Sequence, residues 1–242
     1  FFFAHQINMW SGRFKLNTYT QCKIMKFDIK GNPSYGEVDV ELGPGEVFLI
    51  EPGAMSRMSS NMESSFQRQG GFFSAMFRKM FGGENFFLGK YSHQNGGTLT
   101  FAPSIPGAVE HYSLSNNHLN IMAGSFLACT PGVNIKAKFG GLKALFSGEG
   151  AFLLEASGNG DLFFNSFGGI IEKEINGEFI VDTGHVVGFE PTLNYKISGM
   201  GNWKSTMLSG EGLVMTFNGA GKIYLQTRTV DGIASWLTPR LI

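Results

Sequence analysis

Three glutamates stand in one local pattern, and carboxylates are the groups that hold hard cations or move protons. Glu84 follows Phe81-Gly82-Gly83, Glu149 follows Phe146-Ser147-Gly148 and Glu211 follows Leu208-Ser209-Gly210, each ahead of a strand-like run. Brought together by a threefold arrangement, they could converge on one cation. The competing reading is structural: each Glu accepts from backbone N–H groups after its glycine turn, or pairs with the preceding Lys79, Lys143 or Lys204. Asp182 and His185 form a second candidate, because a carboxylate near an imidazole can orient a metal ligand or general base, with His111 and His118 as further ligands. Yet Asp182-Thr183-Gly184 reads first as a turn, and neither a His-x-His pair nor a cupin-spaced glutamate accompanies it. Cys129 ends the apolar run Phe126-Leu127-Ala128 and reads as a buried, inert thiol. No glycine pair has the spacing of a phosphate loop.

Apolar docking is the other chemistry on offer. In Gln69 to Phe87, the side chains of Phe72, Phe73, Met76, Phe77, Met80 and Phe81 recur at helical spacing around Arg78 and Lys79. The spacing predicts a short amphipathic helix with a wide apolar face. Such a helix caps an open end of the body, covers a partner subunit, or lies in a membrane interface. Phe72, Phe73, Phe77, Arg78, Lys79 and Phe81 are the residues assigned to that interaction surface. Shorter matching segments run from Phe139 to Phe146 and from Met200 to Leu208.

The elements that must carry these groups repeat. A Pro-Gly or Thr-Gly turn, a lysine beside an apolar cluster, the glutamate, then a strand, a glycine-rich turn and another strand occur three times, which places repeats at about 37–115, 116–176 and 177–230. Each unit alone leaves an apolar face uncovered, so residues 25–242 are expected to form one domain. The 34 glycines lie between apolar runs and suit short strands and tight turns. Asn95-Gly96-Gly97, Gly158-Asn159-Gly160 and Asn218 to Gly221 read as hairpin turns. Val38, Val40 and Leu42 alternate with acids, and Gly43-Pro44-Gly45 separates them from a second strand ending at Ile50. Residues 1–24 hold no acid and three basic residues, and read as an upstream extension or cloning remnant before a β pattern that opens at Met25.

Lys plus Arg equals Asp plus Glu at 19 each, so no global field recruits nucleic acid. Two cysteines make no disulfide framework, which fits a reducing, cytoplasmic setting. No apolar run reaches the length of a membrane-spanning helix.

The repeats, together with Val181-Asp182-Thr183-Gly184-His185-Val186-Val187, Ser125-Phe126-Leu127-Ala128 and Phe81-Gly82-Gly83-Glu84, resemble the family named after the altered inheritance of mitochondria protein twenty-four. The resemblance covers about Met25 to Arg228. It implies a fold similar to the tryptophan RNA-binding attenuation protein: all-β, with three short double-stranded β-helix-like units in a pseudo-threefold arrangement and short helices in the repeat insertions. The family's mitochondrial members are associated with inner-membrane organisation, whereas its prokaryotic members are mostly of unknown function, and it implies no shared catalytic set. The expectation is a non-enzymatic binding or assembly module of unknown ligand, without cofactor, homo-oligomeric, and in contact with a protein partner or a membrane periphery. The alternative is a cupin-like metal-dependent or small-molecule enzyme using Asp182 and His185.

Overall fold

The computed structural model describes residues 26–68, 87–138, 153–199 and 213–241. Among the described residues the fold is all-β apart from two short 3-10 turns and its C-terminal end. Its strands are β1 (Lys26–Lys30), β2 (Glu37–Leu42), β3 (Val47–Ile50), β4 (Met55–Met58), β5 (Glu63–Arg68), β6 (Phe87–Ser92), β7 (Gly97–Phe101), β8 (Val109–Met122), β9 (Phe126–Cys129), β10 (Val133–Lys138), β11 (Leu153–Asn165), β12 (Ile170–Asp182), β13 (Val186–Phe189), β14 (Asn194–Gly199) and β15 (Leu213–Gln226).

Alternation builds the first sheet, of order β1-β2-β7-β4. Val38, Val40 and Leu42 face the core while Glu37, Asp39 and Glu41 face outward, the period-2 pattern of a half-buried strand. The second sheet runs β12-β15-β13-β8-β11-β9-β3-β6-β5, with β10 added on β11 and β14 on β15. Its interior strands β9 and β13 are buried at all four positions, because they have neighbours on both edges and packed faces on both sides.

Glycine-rich stretches that read as hairpin turns are placed differently. Gly158-Asn159-Gly160 lies inside the continuous strand β11, and Asn218 to Gly221 lies inside β15. Gly158, Gly160 and Gly219 do take positive φ, of 119°, 147° and 126°. At Gly158 the strand shifts register against β8, between Gly158 and Asn159, as a bulge does, whereas β15 keeps its register with β12 through Gly219; neither stretch reverses the chain. Asn95-Gly96 is a true turn, yet β6 and β7 do not pair with each other: β6 pairs with β3 and β5, and β7 with β2 and β4. The divisions drawn at 115/116 and 176/177 fall inside β8 and β12, which run unbroken across them.

The connections between strand groups are tight. A Cβ on Gly107 would sit 1.8 Å from the Ser166 carbonyl oxygen, so only glycine permits that approach. Around it Gly36 N donates to Gly107 O at 2.7 Å and Ala108 N to Gly168 O at 2.9 Å. The chain ends in α1 (Val230–Leu237), whose first turn is capped by Thr229 Oγ1 accepting from Gly232 N at 3.1 Å. No residue of α1 is buried. Among the described residues no helix is long and apolar enough to cross a membrane.

Candidate functional site

Phe72, Phe73, Phe77, Arg78, Lys79, Phe81, Glu84, Glu149 and Glu211 lie outside the described residues, as does the 1–24 extension and the helices expected in the insertions. The strands flanking the three insertions are described, and they pair at their ends: Arg68 with Phe87, Lys138 with Leu153, and Gly199 with Leu213. Each insertion therefore joins two antiparallel neighbours.

Asp182 and His185 flank the 3-10 turn Thr183–His185 between β12 and β13. Asp182 Oδ1 accepts from Gly184 N at 2.7 Å, closing the turn as a local side-chain cap. His185 Nδ1 donates to the Gln226 carbonyl at 2.7 Å, and the Gln226 amide returns a hydrogen bond to Gly184 O at 2.7 Å. Both groups thus bind the turn to β15. These hydrogen bonds engage the two side chains with backbone, and neither joins one to the other. His111 and His118 have separate partners. His111 Nε2 donates to Asp161 Oδ1 at 2.8 Å, its ring centroid 4.5 Å from Phe27 and 5.0 Å from Phe163. His118 lies 4.0 Å from Glu155, whose carboxylate is held by Lys138 at 2.5 Å; that hydrogen bond keeps the Glu155 carboxyl below the usual carboxylate range. Among the described residues no group of three or more His, Cys, Asp and Glu side chains is placed to hold a metal ion.

The Cys129 thiol is fully buried, and burial pushes it up to about 12, leaving it protonated and unreactive. Glu51 sits where the turn after β3 meets β9, its backbone N–H donating to Leu127 O at 2.8 Å. Its half-buried carboxyl is pushed up to about 7 by desolvation.

A cleft of about 400 Å³ opens on the outer face of the first sheet, lined by Lys26, Lys30, Asp39, Glu41, Arg57 and Thr100 among others. Lys26 donates to both Glu41 oxygens at 2.7 and 2.8 Å, and Arg57 forks onto Glu37 at 2.9 and 2.7 Å. Asp39 accepts from Lys30 and Thr100, which hold its carboxyl below the usual range. The charges compensate one another, so the cleft offers no net field to an ion. Its acids were visible in the alternation of β2, but the pairing of Glu37 with Arg57 depends on β7 lying between their strands. The helix α1 also escaped the sequence reading, although Thr229 with Gly232, followed by Ile233 and Leu237, carries a cap and a helical spacing.

An uncharacterized protein of Streptococcus pyogenes serotype M6 is 28% identical over 222 residues, which cover 88% of this chain and 90% of that one. A Streptococcus pyogenes protein solved by X-ray crystallography has a similar structure, with a TM-score of 0.75 and 28% identity over 90% of this chain and all of that one. The family described as Mitochondrial biogenesis AIM24 matches residues 27–228, and the chain belongs to that family.

Proposed function

We propose that the chain is a non-enzymatic assembly module made of three copies of one β unit. The registers support units at 37–101, 109–165 and 170–226. Leu42 pairs with Gly97, Leu114 with Gly160 and Ile175 with Gly221 at the same point of each unit. The four-residue strands β4, β9 and β13 each pair with the last strand of their unit across a one-residue shift, after Met55, between Phe163 and Phe164, and after Val186. In the first unit the long strands are broken by turns at Gly43-Pro44-Gly45 and Asn95-Gly96, so β2 with β3 stands for β8, and β6 with β7 for β11.

The observation that carries the reading is a contrast of surfaces. The reactive groups described above are committed to turns, ion pairs or burial, while apolar side chains of β4, β12 and α1 are left in water. Ile180 is 57% exposed, Met58 42% and Trp236 56%. Apolar area of this kind marks contact surfaces when it is contiguous.

Elemental analysis of the purified chain, beside the same measurement on His185→Ala, tests the reading. The expected result is no stoichiometric metal in either protein. A stoichiometric metal lost from a folded His185→Ala protein would overturn it and support the cupin-like enzyme.

A further inference from the structure

The units dock on one another by one contact used twice. β3 of the first pairs with β9 of the second, Leu49 opposite Cys129 and Ile50 opposite Ala128. The second half of β8 pairs with β13 of the third, Asn120 opposite Phe189 and Ile121 opposite Gly188. Both times the strand that precedes a turn meets the four-residue strand that follows the corresponding turn in the next unit. Leu49, Ile121, Cys129 and Phe189 are all fully buried as a result.

A third use of this contact needs a mate for Phe179–Asp182, the end of β12, and another for β4. Neither has one among the described residues: β12 pairs with β15 alone and β4 with β7 alone. Exposure follows from that. All four residues of β4 are exposed, whereas its counterparts β9 and β13 are buried throughout.

We propose that the two edges mate between chains, Phe179–Asp182 of one copy adding as an antiparallel strand to β4 of the next. The internal contacts fix the register: Val181 stands where Ile50 and Ile121 stand, and Arg57 where Ala128 and Gly188 stand. That sets Val181 opposite Arg57 and the two exposed apolar side chains, Ile180 and Met58, opposite each other. A second copy is the occupant because its mating surface is already built twice within the chain. Edge composition agrees. The outer strands β1 and β10 carry charged residues on alternate positions, Lys26, Asp28 and Lys30 in one and Lys136 with Lys138 in the other, the usual guard against edge pairing, whereas Phe179-Ile180-Val181 carries no charge. Arg57 is drawn onto the outer face by its fork to Glu37. The contact is head-to-tail, so it closes into a ring or extends as a filament. It rests on the assembly reading above.

The test mixes full-length Ile180→Cys and Met58→Cys proteins, each in a Cys22→Ser background, under mild oxidation. The expected product is a disulfide-linked pair containing one chain of each variant, absent when either variant is oxidised alone. An oligomer that yields no mixed product would overturn the edge pairing and leave the assembly reading standing. A bridge within single chains of the double variant Met58→Cys/Ile180→Cys, with no mixed product, would overturn the pairing between copies. A chain that is monomeric at every concentration would overturn both.

Discussion

Glu51→Gln isolates the cost of placing a carboxylate where the turn after β3 meets β9. The wild-type carboxyl is pushed up to about 7 from an ordinary value of 4.5, with desolvation as the cause. An acid with a raised folded-state value binds its proton more tightly when folded, so the folded state suffers no penalty below the ordinary value. The penalty grows as pH rises from about 4.5 and is complete above about 7. At about 1.4 kcal/mol per pH unit the full gap is worth about 3 kcal/mol, and partial exposure of the carboxyl lowers this to about 2 kcal/mol. Glutamine keeps the shape and cannot ionise. Urea unfolding of both proteins at about pH 4 and pH 8 should therefore show similar stability in acid and a gain of about 2 kcal/mol for Glu51→Gln at pH 8. A difference that does not change with pH, or a wild type that gains on the variant as pH rises, would refute the argument.

Phe163 is fully buried and meets Phe27, Phe48 and Phe101 edge-on at 5.1, 5.9 and 5.6 Å, so Phe163→Ala should cost about 3–5 kcal/mol in urea unfolding. Gly107→Ala should fail to fold or lose several degrees of Tm, because its Cβ would collide with the Ser166 carbonyl, whereas Gly124→Ala, with nothing within 4 Å of its added Cβ, should leave Tm within a degree or so of wild type. Asp182→Ala removes one cap hydrogen bond and should cost about 1 kcal/mol, read in the same unfolding assay.

Much of the β architecture was written in short-range pattern. The alternation of Val38, Val40 and Leu42 specifies a half-buried strand whatever its neighbours. Asp182-Thr183-Gly184 makes its turn with its own side chain, so its location needs no tertiary information. The glycines were ambiguous for a physical reason. Positive φ at Gly158 or Gly219 serves a hairpin turn and an unbroken strand equally well, and only the identity of the paired strands separates the two. For the same reason the divisions drawn at 115/116 and 176/177 fall inside β8 and β12: each strand keeps one partner along its whole length, β11 and β15, and that continuity leaves no mark on local composition. Pairing across long separations, as between Arg57 and Glu37 or between His111 and Asp161, was likewise beyond a reading of neighbours in sequence.

Sedimentation equilibrium of the wild-type chain, beside Ile180→Asp, tests the central claim of self-assembly most directly. The account predicts a wild-type mass that is a multiple of 26.4 kDa, falling to 26.4 kDa in Ile180→Asp with an unchanged circular dichroism spectrum. A wild-type mass of 26.4 kDa across the whole concentration range would contradict it.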